Sequence, residues 1–199
     1  MELLIGIVVG TIFMFAIYGF FDASFQSYTG HQDQALAQAQ ARDAMNELTS
    51  QLRQAVSPDN GITPPVVNLS PTQIEFYADM NRSLSEIVPK PQEFLYQISN
   101  GQLVRQISSP VGAAPPYTYG AFSSAETLVS SIANTTSTPL FSAVNASGAA
   151  LAASITAPAT AGIGLITVNM LVGYAIGNAT ERYSLSTDVA PQNPTTGGN

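Results

Sequence analysis

The chain has 199 residues, a length that suits one domain with an appendage and allows a hydrophobic core of its own. Charged residues make up 10% of it, against about 25% in an ordinary soluble domain, and the formal net charge is −7. Nucleic-acid binding is not expected, because it depends on clustered cations and the arginines are scattered. The lack of cysteine excludes a disulfide framework and any thiolate metal site.

The first 24 residues, MELLIGIVVGTIFMFAIYGFFDAS, contain an uncharged run from Leu3 to Phe21. As an α-helix this run is roughly 28 Å long, close to the hydrocarbon thickness of a bilayer, about 30 Å. A cleaved secretory signal is the alternative, but such a signal has a cationic region and a shorter apolar core. We therefore predict a retained, membrane-length helix over residues 1–24.

A second helical segment is predicted over residues 25–57, continuous with the first. The stretch from Asp22 to Val56 contains no proline, and apolar residues recur in it at spacings of three and four or their multiples. This spacing is typical of an amphipathic helix whose apolar stripe packs on its own domain. Pro58 and the pair Asn60-Gly61 predict its end near residue 56. The residues of the stripe are Leu36, Met45, Leu48, Leu52 and Val56.

Residues 58–190 are predicted to form a β-rich head, because short β-prone runs alternate there with turn-forming residues. Asn100-Gly101, between EFLYQIS and QLVRQIS, predicts a two-residue hairpin of type I′. Residues 146–161 are predicted as a connection with room for a short helix, and residues 191–199 as a disordered tail. The predicted strands are 73–78, 94–99, 102–108, 127–132, 140–144, 163–174 and 182–189. The expected fold class is α+β, with a long N-terminal helix packed on an antiparallel sheet.

Several of these segments together resemble the type IV pilin superfamily. MELLIGIVVGTI is similar to the start of mature pilins, where a glutamate precedes about twenty apolar residues. The body resembles the J-type minor pseudopilins and the related PilW-like minor pilins in ARDAMNELTSQLRQAV, QIEFYADM, EFLYQISNGQLVRQI and YSLSTDVAPQN. Residues 109–161 have no counterpart in that pattern. In the family further residues precede the glutamate, so the register of Glu2 depends on whether Met1 is the mature terminus.

The resemblance implies a structural subunit of an extracytoplasmic filament, either type IV-pilus-like or of the type II secretion kind. It implies residence in the inner membrane before assembly, self-association or association with related pilin subunits, and an assembly platform with a motor ATPase as further partners. The competing hypothesis is a membrane-anchored β-rich ectodomain that acts as a binding or sensor module. The implied assembly residues are Glu2, Leu3, Leu4, Ile5, Ile7, Val8, Val9, Ile12 and Phe13.

The carboxylate of Glu2 has two interpretations. In an apolar bundle it would be costly unless a cation met it, and no Lys or Arg occurs before Arg42. The α-amino group of a neighbouring copy is then the simplest cation, and the resemblance implies the same pairing. Alternatively, Glu2 lies at the water interface, where its charge needs no partner.

Catalytic residues, cofactors and metals are not predicted. His31 is the one histidine, and no nucleotide-binding or nucleophile motif occurs. Asp79–Glu86 offers oxygen ligands of the kind that Ca²⁺ uses but lacks the EF-hand pattern, so we interpret it as a polar turn. Tyr117, Tyr119 and Phe122 form either a contact patch or a cover for the sheet. We attribute five Asn-x-Ser/Thr triplets to chance: those at Asn68, Asn81, Asn134, Asn145 and Asn178.

Overall fold

The N-terminal quarter of the chain is a single helix, α1 (Glu2–Arg53). The computed structural model describes residues 2–59, 61–80, 90–176 and 179–191, with the backbone alone at residues 2–4, 23, 26, 176 and 179. At the standard rise α1 is roughly 78 Å long. It ends before the predicted residue 56, because Ala55 forms a bridge to Ala78 and the Val56 amide donates to the Tyr77 carbonyl at 3.0 Å. The helix therefore stops where its chain begins to pair with the sheet.

Eleven strands follow α1 in the described ranges, and every pairing between them is antiparallel. They are β1 (Val66–Ser70), β2 (Gln73–Ala78), β3 (Gln92–Ser99), β4 (Gln102–Ser108), β5 (Pro110–Val111), β6 (Thr118–Tyr119), β7 (Glu126–Val129), β8 (Phe141–Asn145), β9 (Ile155–Thr156), β10 (Ile163–Ile176) and β11 (Ala179–Val189). One sheet has the order β7-β4-β3-β2-β1-β9, a second has the order β11-β10-β8, and β5 with β6 forms a small ribbon. This confirms the predicted α+β layout of one long helix and antiparallel sheet.

The strand predictions fail mainly at short segments. The strand β1 was missed, because its five residues between Pro65 and Pro71 pair only through their neighbours β2 and β9. The predicted strand 127–132 divides in two, since β7 ends at Val129 while Ile132 bridges to Val172 of the other sheet. The connection 146–161 carries the strand β9, which was not predicted, and ends in a short 3₁₀ helix, Ala159–Gly162, where the sequence left room for a short helix. The predicted tail, from residue 192 onward, lies outside the described residues.

The hairpin between β3 and β4 is confirmed. Ser99 and Gln102 pair directly across it. Asn100 and Gly101 both have positive φ, 51° and 72°. A type I′ turn requires this at both central positions, which explains the Asn-Gly pair.

One hydrophobic core joins the C-terminal third of α1 to both large sheets. On the helix its buried side chains begin at Ala41 and continue through Met45, Leu48 and Leu52. Leu36, which we had predicted in the same stripe, is 58% exposed, so the packed face starts later than its spacing suggests. Against the helix lie three stacked rings of β2 and β3, with Phe76 centred 5.6 Å from Phe94 and 6.1 Å from Tyr96.

Polar contacts inside this interface fasten α1 to the larger sheet. The Tyr96 hydroxyl donates to Oε1 of Gln51 at 2.8 Å, and both residues are buried. The Arg105 guanidinium forms ion pairs with Glu47 of the helix and with Glu126 of β7. The direction of the helix relative to the sheet is thus set by hydrogen bonds and charge as well as by packing.

Candidate functional site

The most unusual surface of the protein is the N-terminal part of α1. Every described side chain from Ile5 to Thr29 is exposed, and the large apolar ones are exposed by 49% at Val8 to 76% at Met14 and Phe15. Among the described residues this is the one helix long and apolar enough to cross a membrane. We call residues 5–21 the exposed apolar segment.

Water is an unfavourable environment for this segment. Burying a large apolar side chain is worth about 1.5–3 kcal/mol, and soluble monomers rarely expose contiguous apolar patches larger than a few hundred Å². The apolar residues surround the helix instead of forming a stripe, since Ile5 and Ile7 lie about 160° apart at 100° per residue. The segment therefore suits an environment that is apolar on all sides, either lipid or a bundle of other helices.

The structure places the predicted assembly residues on both sides of this segment. Five of the six described ones share one side of the helix, at spacings of three and four, while Ile7 lies on the opposite side. All six are exposed: Ile5, Ile7, Val8, Val9, Ile12 and Phe13. The other three, Glu2, Leu3 and Leu4, lie in the first turn of α1, where only the backbone is described.

Two glycines one turn apart interrupt the apolar surface. A Cβ atom added at Gly6 or at Gly10 would have no atom within 4 Å apart from the local helix backbone. Nothing in the described monomer therefore requires glycine at these positions, and each costs a helix up to about 1 kcal/mol relative to alanine. Small residues at this spacing allow another helix to approach closely in an apolar medium.

The other residues that the sequence analysis considered for a functional role are structural, are exposed without catalytic neighbours, or lie outside the described residues. Nδ2 of Asn134 donates to the Asn169 carbonyl at 2.7 Å and Oδ1 accepts from the Leu171 amide at 2.7 Å, so this buried amide links two segments of the head. His31 is exposed on α1 and lines a shallow depression that has no carboxylate in its lining.

The predicted polar turn at 79–86 is described only at its start. Asp79 is 8% exposed, and its buried Oδ2 has no hydrogen-bond partner within the described part of the chain. Residues 81–86 lie outside the described residues. Within the described ranges, no group of three or more His, Asp or Glu side chains is placed to hold a metal ion.

A cluster of acidic and aromatic side chains on the outer face of the larger sheet was not predicted. Glu93 of β3 pairs in register with Tyr77 of β2, and both point away from the helix. Tyr119 of the β5–β6 ribbon covers them, with its ring 4.9 Å from that of Tyr77 and its hydroxyl donating to the Pro91 carbonyl at 3.0 Å. Tyr119 therefore acts as a cover for the sheet.

Electrostatics distinguish Glu93 within this cluster. Burial, followed by the neighbouring Glu75 carboxylate, raises the pKa of Glu93 to about 7. Burial and the Glu93 charge also raise the pKa of Tyr77 and of Tyr119 above that of free tyrosine. The period-two alternation of β2 and β3 was the available signal, because it places Glu75, Tyr77 and Glu93 on one face.

Comparison of the chain with protein-family models, with curated proteins and with solved structures finds no match in any of the three. The pilin resemblance thus stays a prediction that depends on the residues quoted for it.

Proposed function

We propose that this protein is a structural subunit of an extracytoplasmic filament, of the type IV-pilus-like or type II secretion kind, which assembles through its exposed apolar segment. The observation that carries the proposal is one continuous helix with two different environments. Residues 5–21 are exposed and apolar, whereas the helix from Ala41 onward packs in the core of the head. A head held this way is displayed at the end of a helix that needs apolar neighbours.

The proposed location follows the same division of the helix. Before assembly the exposed apolar segment lies in the inner membrane, where lipid surrounds it, and the head faces away from the cytoplasm. In the filament, helices of other copies or of related subunits replace the lipid. Energy for this transfer comes from a separate motor ATPase acting through a membrane platform, as the family resemblance implies.

In this proposal the Glu2 carboxylate pairs with the α-amino group of a neighbouring copy. Such a pair forms at one axial stagger of two helices and so favours one register in the filament. We expect Glu2→Ala to abolish or strongly reduce incorporation into filaments while membrane insertion persists. Mass spectrometry of sheared surface filaments and immunoblots of the membrane fraction measure the two quantities. Normal incorporation of Glu2→Ala would contradict this role and favour a carboxylate at the water interface.

A second candidate function is a membrane-anchored binding or sensor module. It is favoured by the head having its own core, which depends on none of the first 36 residues of the chain among its described members. For such a module the apolar helix is only an anchor, and the positions of its glycines have no role in contacts with other helices.

Substitutions at Gly10 discriminate the two functions. Gly10→Ile adds a side chain that meets nothing in the monomer and increases hydrophobicity, so insertion into the membrane is expected to continue. If other helices pack there, Gly10→Ile lowers filament incorporation at least tenfold, whereas Gly10→Ala, with a single added carbon, has a small effect. Equal behaviour of both variants and the wild type in filament yield and in crosslinking between copies would support the anchor.

A further inference from the structure

The β5–β6 ribbon contacts the outer face of the larger sheet through Tyr119, and the residues that follow it run beside β4. Its tip is free of the sheet, since residues 111–114 are exposed. Its base is attached at Tyr119, through the ring contact with Tyr77 and the hydrogen bond to Pro91, and at Gly120, whose carbonyl accepts from the Ser108 hydroxyl at 3.1 Å. Ser123 then fixes the chain to β4, where its amide donates to the Ile107 carbonyl at 2.9 Å.

The attachment at Tyr119 lies over a buried carboxyl group. Glu93 is 8% exposed, and the ribbon contributes to its cover because Tyr119 reaches from Tyr77, the cross-strand partner of Glu93, to Pro91, two residues before it. An isolated ionised carboxylate in such a place is unfavourable, since its hydration is lost.

The described charged and titratable groups around Glu93 do not compensate for its ionisation. From β2, Glu75 adds a second negative charge and Tyr77 offers a hydroxyl, and from the ribbon Tyr119 approaches the carboxyl. The partner in register on β4 is the uncharged Ser108. Asp59 and Tyr117 act on Tyr119 and contribute no positive charge. Of these groups only the Tyr77 hydroxyl favours the ionised form, and burial and Glu75 outweigh it.

We propose that Tyr119 is a latch that holds the β5–β6 ribbon on the sheet while Glu93 is protonated, and that ionisation of Glu93 releases it. Lifting Tyr119 admits water to the Glu93 carboxylate, so the open state binds the proton less tightly than the closed state. Release also exposes the Tyr77 and Tyr119 rings. The device is separate from the helix surface and does not depend on the proposed function.

The expected pH dependence has a definite sign and range. An open-state carboxyl with the ordinary pKa of 4.5 and a closed-state carboxyl with a pKa of about 7 differ in their degree of protonation mainly between these two pH values. The opening equilibrium constant therefore rises by up to tenfold per pH unit between about pH 5 and pH 7 and is constant above that range.

Hydrogen–deuterium exchange of the full chain in micelles of an uncharged detergent tests this proposal. Exchange of the amides of residues 111–122 is measured from pH 5 to pH 8 and corrected for the intrinsic pH dependence of amide exchange. The wild type is expected to show the rise and the plateau. Glu93→Gln is expected to stay protected at every pH, and the control Glu181→Gln, at an exposed carboxylate of β11, to behave as the wild type.

Two further variants keep the test decisive if Glu93→Gln misfolds. Glu75→Gln removes the neighbouring charge, so the plateau moves to lower pH and the total rise becomes smaller. Tyr119→Ala removes the latch, so the ribbon exchanges rapidly and independently of pH. A wild-type rise that persists in Glu93→Gln, an absent rise in the wild type, or wild-type exchange in Tyr119→Ala would overturn the proposal.

Discussion

At the scale of single residues, Arg105 connects three elements through one side chain. Its side chain is 13% exposed, that of Glu47 is 37% exposed and that of Glu126 is 60% exposed. The contact with Glu47 is better shielded from water and so is worth more than the contact with Glu126. Among the described residues the buried Nε of Arg105 has no hydrogen-bond partner, so the Glu47 and Glu126 carboxylates are the main compensation for the hydration that the guanidinium loses.

Breaking the inner ion pair is expected to destabilise the head. Glu47→Gln leaves the Arg105 guanidinium largely buried beside a neutral amide, and we expect the free energy of unfolding to fall by about 2–4 kcal/mol. Glu126→Gln, at the exposed end of the same guanidinium, is the matched control and should cost about 1 kcal/mol or less. Urea denaturation of the two variants measures both values. Equal losses of unfolding free energy in the two variants would show that the difference in burial does not make one ion pair stronger than the other.

Asp59 organises the turn that follows α1. Its Oδ1 accepts from the Thr63 amide at 2.6 Å and from the Ser57 hydroxyl at 2.9 Å, and its Oδ2 accepts from the Thr63 hydroxyl at 2.6 Å. Burial alone would raise the pKa of Asp59, but these hydrogen bonds to the ionised form outweigh it and hold the pKa below its usual value of 3.8.

The depressed pKa of Asp59 predicts a pH dependence of stability. A folded-state pKa below the unfolded-state value contributes stability that is present above pH 3.8 and is lost as the pH falls through the folded pKa. At pH 7 Asp59→Asn is expected to lower the free energy of unfolding by about 1–2 kcal/mol. Denaturation at a series of pH values should show this difference shrinking toward acid pH. A difference that stays constant down to pH 2.5 would contradict the assignment.

At the scale of elements, the β3–β4 hairpin and the helix α1 obey different constraints. The hairpin is specified locally, because two residues with positive φ fix its register and hence which face of each strand meets the core. The helix has two parts with different requirements. Residues 5–21 need apolar surroundings, whereas from Ala41 onward the helix is stabilised by packing on the head.

The hairpin turn supplies a test of local specification. Gly101→Ala places a side chain on a backbone with φ of +72°, so we expect about 1 kcal/mol of destabilisation. Gly162→Ala is the control, because that position has open space and no positive φ. Thermal unfolding of the two variants gives the comparison. A stability of Gly101→Ala equal to that of Gly162→Ala would show that the turn does not require glycine.

At the scale of the whole molecule, the exposed apolar segment and the head are energetically separate. The first residue of α1 that packs against the core is Ala37, and none of the described side chains among the first 28 residues is buried. We expect a chain lacking residues 1–28 to remain folded and to need no detergent, with a melting temperature within a few degrees of that of the full chain. Circular dichroism and sedimentation velocity check both properties. An unfolded or aggregated truncated chain would show that the head needs the segment.

The sequence by itself determined the parts of this protein that depend on local chemistry. The long uncharged run predicted the apolar segment, and Asn100-Gly101 predicted the hairpin. The alternation of apolar and polar residues along 182–189 predicted a half-buried strand. Each of these signals lies within a few adjacent residues, because backbone dihedrals and side-chain periodicity are local properties. The apolar composition of this segment is a property of the sequence alone. The molecules that surround its exposed side chains, lipid or other helices, are not part of the single chain.

Only the tertiary structure decided the features that join distant parts of the chain. Leu36 has helical spacing yet is exposed, because it lines an open groove between α1 and β10 and the side chains of α1 become buried only from Ala41 onward. The short strand β1 exists only because β2 and β9 lie beside it. Glu93 owes part of its burial to Tyr119, which lies more than twenty residues later in the chain. Pairing partners and burial are properties of the assembled fold, so no periodicity within one segment reveals them.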